Sequence, residues 1–135
     1  MSEGTENHIV CVGAVYIDTI LTVPHFPIED EKLRAKALTR RRGGNTANSL
    51  EVLSQLQRHD PEGAHPSPMS LHLLAVLPEE QSAASQFIST SLPGVNISDV
   101  SLFRNQHQEA ASSYIIQSEE KRSRTIVSIN QLPEM

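Results

Sequence analysis

Residues 32–56 read KLRAKALTRRRGGNTANSLEVLSQL, and two hydrophobic periods meet inside this stretch. From Lys32 to Thr39 the residues alternate, with Leu33, Ala35 and Ala37 on one side and Lys32, Arg34 and Lys36 on the other. A period of two predicts a half-exposed strand over 32–39. From Asn45 onward, Ala47, Leu50, Leu53 and Leu56 recur every three residues, which is the apolar stripe of a helix. Between the two periods stands Gly43-Gly44, where the absence of Cβ permits positive φ and a close approach of backbone to another group. Asn45 is placed to cap the helix, because its side chain can accept from the free N–H groups of the first turn.

Working outward, Ile9 to Val23 reads IVCVGAVYIDTILTV. Its β-branched residues, interrupted by Gly13 and Asp18, predict a buried strand, a bend and a second extended piece. Pro24 and Pro27 mark a loop, and Glu29-Asp30-Glu31 a solvated turn. Pro61, Gly63, Pro66 and Pro68 make 58–70 a surface loop insertion. Leu71 to Leu77 reads as a short buried strand ended by Pro78. Glu79 to Leu92 reads as a helix whose early acidic residues suit its dipole, and Pro93-Gly94 stops it. Three strands follow at Val100–Arg104, Ser112–Gln117 and Thr125–Ile129, with Glu119–Ser123 as a charged turn. This order predicts one α/β domain, a mostly parallel sheet flanked by helices, with an antiparallel element added.

Composition narrows the function classes. Of 135 residues, 38% are hydrophobic and only 4% aromatic with no Trp, so the core must come from Leu, Ile, Val and Ala. A net charge of −5 argues against a general nucleic-acid partner. Arg40-Arg41-Arg42 with Lys36 is a weak basic patch on such a background. The six histidines are scattered in sequence, none pairing with another at helix-face spacing, which gives no protein-held metal site. Cys11, the single cysteine, sits in an apolar run and reads as a small buried hydrophobe. No apolar stretch approaches the roughly 20 residues of a membrane span. The polar, acidic start from Met1 to His8 is unlike a secretion signal, so a cytoplasmic location is expected.

Three features carry chemistry. Asp18 is expected near the end of the first apolar strand, the side of an open α/β sheet where ligands bind. A carboxylate there accepts from hydroxyl groups, although the same residue also reads as a polar break. Asn45 and Asn48 lie three apart on one face of the first helical turn, and their amides offer both donors and acceptors. That pair suits a polyol or serves only as turn and cap. Arg124, where a charged turn meets a strand, has the forked geometry that binds phosphate or is ordinary surface charge.

Together CVGAVYIDTI (11–20), EDEKLRAKALTRRRGGNTANS (29–49) and SRTI (123–126) resemble the ribokinase/PfkB-type carbohydrate kinases in order and approximate spacing. The resemblance runs from about Ile9 to Pro133. It implies a partial ribokinase-like fold forming the N-terminal portion of such a kinase domain over residues 1–135, with strand 32–39 as part of a lid. It implies that Asp18, Gly44, Asn45 and Asn48 contact a small-molecule sugar, with a ketohexose such as fructose favoured. Gly43 and Gly44 would form the hinge where the lid meets the core, and Arg124 would reach the phosphates of ATP, which brings Mg2+. It also implies a homodimer clasped through the lid strand. Two departures stand out: the polar 58–70 insertion, and Lys121-Arg122 in place of small residues before the arginine.

The family's G-A-G-D motif supplies the catalytic base and an anion-binding helix N-terminus. No G-x-G-D occurs in this sequence, so no catalytic residue is assigned. The expectation is a fold truncated C-terminally, which carries the sugar-binding half and is inactive alone. The alternative is a noncatalytic sugar-binding or dimerisation module related to these kinases.

Overall fold

The computed structural model describes residues 6–59 and 69–135. Most of the expected 58–70 insertion therefore lies outside the described residues. The first apolar run is divided between two sheets. β1 (His8–Val12) and β2 (Tyr16–Val23) are separated by Gly13-Ala14-Val15, and this break carries the chain from one sheet to the other. β3 is Ala37–Gly43, α1 Asn45–Arg58, β4 Ser70–Leu74 and β5 Val76–Pro78. α2 is Ala83–Ser91, β6 Val95–Asn96, β7 Leu102–Arg104, β8 Ala111–Ser118 and β9 Ser123–Ile129.

β1, β4 and β6 form a parallel sheet in the order β1-β4-β6. β3, β2, β8 and β9 form a mixed sheet in that order, with β2 and β8 parallel at its centre and antiparallel strands on both sides. β5 and β7 make a short parallel pair. Parallel neighbours require long crossovers, and α1, β4 and α2 lie within the one that joins β2 to β8. The core gathers where the helices meet the sheets: Ala47 and Leu50 of α1, Leu71 and Leu73 of β4, and Ile88 of α2 are all buried in one cluster. The architecture is the expected α/β sheet flanked by helices, with an antiparallel element added. Among the described residues no helix is long and apolar enough to cross a membrane.

Several local expectations are corrected. The strand expected over 32–39 occupies 37–43 instead. β2 offers a ladder only to residues opposite Tyr16–Thr22, and these are Gly43 back to Ala37. Pairing, not the alternation at 32–36, sets the strand. Asp18 is the third residue of β2 and does not lie near the end of the first strand. β1 itself is not buried on both faces, since Val10 and Val12 are 52% and 54% exposed. Gly44, not Asn45, is the N-cap residue of α1, with no side-chain cap. The buried stripe of α1 is Ala47, Leu50 and Ser54, while Leu56 faces outward. α2 starts at Ala83, four residues later than expected. Its cap is Ser82, whose Oγ accepts from the Ser85 N–H at 3.1 Å, so Glu79 and Glu80 belong to the preceding turn. His8 and His72, distant in sequence, meet across β1 and β4 with Nδ1 and Nε2 2.9 Å apart. Cys11 is half-buried against the core rather than enclosed by it.

The loop between β2 and β3 is tied by Glu31. Its carboxylate takes the His25 ring at 2.9 Å and the Ile28 N–H at 3.0 Å. These two hydrogen bonds, His25 first, hold the Glu31 carboxyl below the usual carboxylate range. Their contribution is present above the unfolded carboxyl's pKa and is lost as pH falls through the lowered value.

The junction of β3 and α1 depends on Gly44. Its φ of 102° is a conformation that side chains disfavour, and a Cβ there would lie 2.5 Å from the Ala14 carbonyl oxygen. Strain at positive φ costs of order 1–3 kcal/mol, and the overlap adds to it. Gly44→Ala is therefore expected to lower unfolding free energy by about 2–3 kcal/mol in chemical denaturation. An unchanged midpoint would contradict this account of the junction.

Candidate functional site

The mixed sheet presents one face to a cleft. Pairing places Asp18 of β2 level with Ser113 of β8 and Arg41 of β3. It also places Ile115 level with Ile126 of β9, and Gln117 level with Arg124. Because side chains alternate along a strand, Asp18, Arg41, Ser113, Ile115, Ile126 and Arg124 share that face. The N-terminus of α1 and the C-terminal end of α2 close the other side. The resulting cleft has a volume of about 600 Å3. All six residues singled out in the sequence, Asp18, Gly43, Gly44, Asn45, Asn48 and Arg124, line it. They come from four separate elements and the junction between two of them.

Asp18 is buried, at 9% exposure, and its carboxylate lies against the backbone of Gly43. A Cβ on Gly43 would stand 2.6 Å and 2.8 Å from the two carboxylate oxygens. Gly43 is thus required for room rather than for φ. Arg41 Nε is 3.6 Å from Asp18 Oδ2, an ion pair too long to be a good hydrogen bond. The carboxylate keeps acceptor capacity for a ligand in the cleft.

The arginine run at 40–42, read in the sequence as a weak surface patch, is split by the strand. Arg41 turns toward Asp18, whereas the Arg42 side chain is only 4% exposed. Arg42 Nη1 donates to Asn48 Oδ1 at 2.8 Å, Nη2 to Glu51 Oε2 at 2.5 Å, and Nε to Ser91 Oγ at 3.0 Å. This fork joins β3, α1 and the end of α2. Sequence reasoning missed Arg41, Arg42, Glu51, Phe87, Ser91, Ser113, Ile115 and Ile126 as lining residues. Glu51 had a weak signal, since it stands three residues after Asn48 on the same helical face. Ser91 and Ser113 had none, because only the tertiary fold brings them to the cleft.

Chemically the cleft mixes two carboxylates with carboxamides, hydroxyls and guanidinium groups. That donor and acceptor balance fits a neutral polyhydroxyl ligand, with Arg124 at the outer strand available to an anion. Among the described residues no group of three metal-ligating side chains exists.

The dependence of Asp18 on Gly43 is testable. In Gly43→Ala the carboxylate must turn away from residue 43, while the backbone there stays in its ordinary conformation. A crystal structure of the variant is expected to show Asp18 in a different rotamer, and an unmoved carboxylate would contradict this.

Comparison with known proteins places the fold. No protein-family model matches the chain. Ketohexokinase of Mus musculus is 45% identical over 51 residues, which are 38% of this chain and 17% of that protein. Ribokinase of Thermotoga maritima superposes with a TM-score of 0.68 at 15% identity, covering 92% of this chain and 36% of the other. Arabidopsis thaliana ribokinase, solved with ribose and ATP, gives 0.66 at 19% identity, again with 92% and 36% coverage. The chain thus spans about a third of the length of these solved kinases. It shares the α/β fold of these ribokinases over that length.

Proposed function

We propose that the cleft binds a sugar, with a ketohexose such as fructose favoured, and that the chain carries the sugar-binding part of an ATP-dependent carbohydrate kinase. The observation that carries this reading is convergence. Asp18, Gly44, Asn45 and Asn48 were singled out for sugar contact, and they line one polar cleft together with the Gly43-Gly44 hinge. The identity shared with ketohexokinase supports a ketohexose. The fold shared with a ribokinase solved with ribose and ATP supports a sugar and a nucleotide as the two substrates.

In this reading Asp18 accepts hydrogen bonds from sugar hydroxyls, and the carboxamides of Asn45 and Asn48 bind neighbouring oxygens. The sheet face over the cleft acts as a lid, hinged at Gly43-Gly44. Arg124 reaches the phosphates of ATP, whose Mg2+ is held by phosphate and water oxygens rather than by a protein cage. β3 lies at the edge of its sheet with Ala37 to Arg41 exposed, which supports a homodimer through the lid.

Phosphoryl transfer also needs a base for the attacking hydroxyl and donors for the transferring group. These 135 residues contain no G-x-G-D segment to supply them. The 135-residue chain by itself therefore binds sugar without useful turnover. The same observation favours a second reading, a noncatalytic sugar-binding or dimerisation module. The two separate on whether a kinase segment bearing G-A-G-D, added to the chain, restores transfer.

Calorimetry with fructose is expected to show binding that Asp18→Ala weakens by about tenfold or more, the scale of hydrogen bonds to a charged group. The chain alone should transfer no measurable phosphate from ATP. Turnover near that of a complete kinase would contradict the assignment of a sugar-binding part, and absence of any sugar affinity would contradict the reading as a whole.

A further inference from the structure

Arg42 stands outside the residues assigned to sugar contact, yet its side chain is almost fully buried beside them. Its three hydrogen bonds divide the guanidinium among three elements. Glu51 Oε2 balances the charge, Ser91 Oγ takes Nε, and Asn48 Oδ1 takes Nη1. Ser91 is itself fixed, since its hydroxyl donates to the Ile88 carbonyl at 2.6 Å. The lone pairs that meet Arg42 are therefore held in place.

The chemistry of this contact decides how Asn48 is oriented. A guanidinium has only donors and no acceptor. The atom of the Asn48 carboxamide that faces it must be the oxygen, whichever way an amide is first drawn. The NH2 group is then the end left for other partners, on an exposed side chain that lines the cleft. Asp18, on the neighbouring sheet, is the complementary case, because an ionised carboxylate only accepts.

Building on the sugar-binding reading, we infer that Arg42 is a positioning residue that locks the Asn48 carboxamide with its oxygen withdrawn, so that Asn48 meets a ligand solely as a donor. The cleft then has fixed polarity, accepting at Asp18 and donating at Asn48. A hydroxyl-rich ligand satisfies both positions, since each hydroxyl donates and accepts. A ligand that offers only a donor at Asn48 leaves two N–H groups facing each other and is refused. Without Arg42 the carboxamide can rotate, and its oxygen competes for the same place in the cleft.

The test is a double-mutant cycle on the full chain, with fructose as the probe and affinity read by NMR titration. Asn48→Asp keeps an acceptor for Arg42 but removes the donor from the cleft. Arg42→Met keeps the buried stem and removes the fork. Arg42→Met is expected to weaken fructose about tenfold in the native background and less than about twofold in the Asn48→Asp background. The Asn48 side-chain amide signals, identified by their loss in Asn48→Asp, should move in Arg42→Met and stay in place in Ser91→Ala. Should Arg42→Met fail to fold, Arg42→Lys keeps the charge facing Glu51 and loses the fork, and the cycle is read on it. Equal weakening in both backgrounds, or Asn48 signals indifferent to Arg42, overturns the inference. If the native chain binds no fructose, the sugar reading fails, while the amide signals still decide whether Arg42 orients Asn48.

Discussion

The close approach of the Gly43-Gly44 backbone to two other parts of the chain is the constraint on which the site depends. At Gly44 the backbone presses on the carbonyl of Ala14, in the segment that carries the chain from β1 to β2. At Gly43 it lies beneath the carboxylate of Asp18. Neither approach leaves room for a Cβ. Gly44 therefore fits the end of β3 against the segment between β1 and β2, and Gly43 sets the position of the acid. The helix begins immediately afterwards, which brings Asn45 and Asn48 to the same cleft without any further device.

Arg42 extends this arrangement to the rest of the domain. It is the last residue before the glycines, and its guanidinium spans from β3 to α1 and to the end of α2. A buried charge is costly unless paired and hydrogen-bonded, and here each contact falls on a group that itself belongs to the cleft wall. The residues that pair the buried Arg42 thus also line the cleft. On the helix side the cleft wall is thus tied by Arg42, while the sheet on its other side carries the exposed strands β3 and β9. β9 is exposed along its whole length, and Ile126, Val127 and Ile129 are among its exposed apolar side chains. Val10 and Val12 are exposed apolar side chains of β1, on a separate sheet.

Much of this was legible in the sequence. The α/β class followed from the alternation of apolar runs and turn residues, and the helix after Gly44 followed from its stripe. The six residues that share the cleft stood out because their chemistry is concentrated in short segments, and because the order of those segments resembles a kinase family. What failed was local. Alternation at 32–36 looked like a strand, but a strand exists only where a partner runs alongside, and β2 pairs with 37–43. Asn45 looked like a cap, but the glycine before it takes the non-helical conformation and leaves Asn45 inside the helix. Arg42 looked like surface charge because nothing in a single sequence reveals that Asn48, Glu51 and Ser91 will surround it. The pairing of His8 with His72 was invisible for the same reason.

The most direct test of the central claim is where a sugar touches the chain. Backbone amide signals recorded during a fructose titration report this without any substitution. The account predicts that the largest shifts fall on residues 43–48, on Asp18 and on Ser113, around a single saturating site. Shifts confined to other surfaces, such as the outer face of β1, or no saturable shift at all, would contradict it.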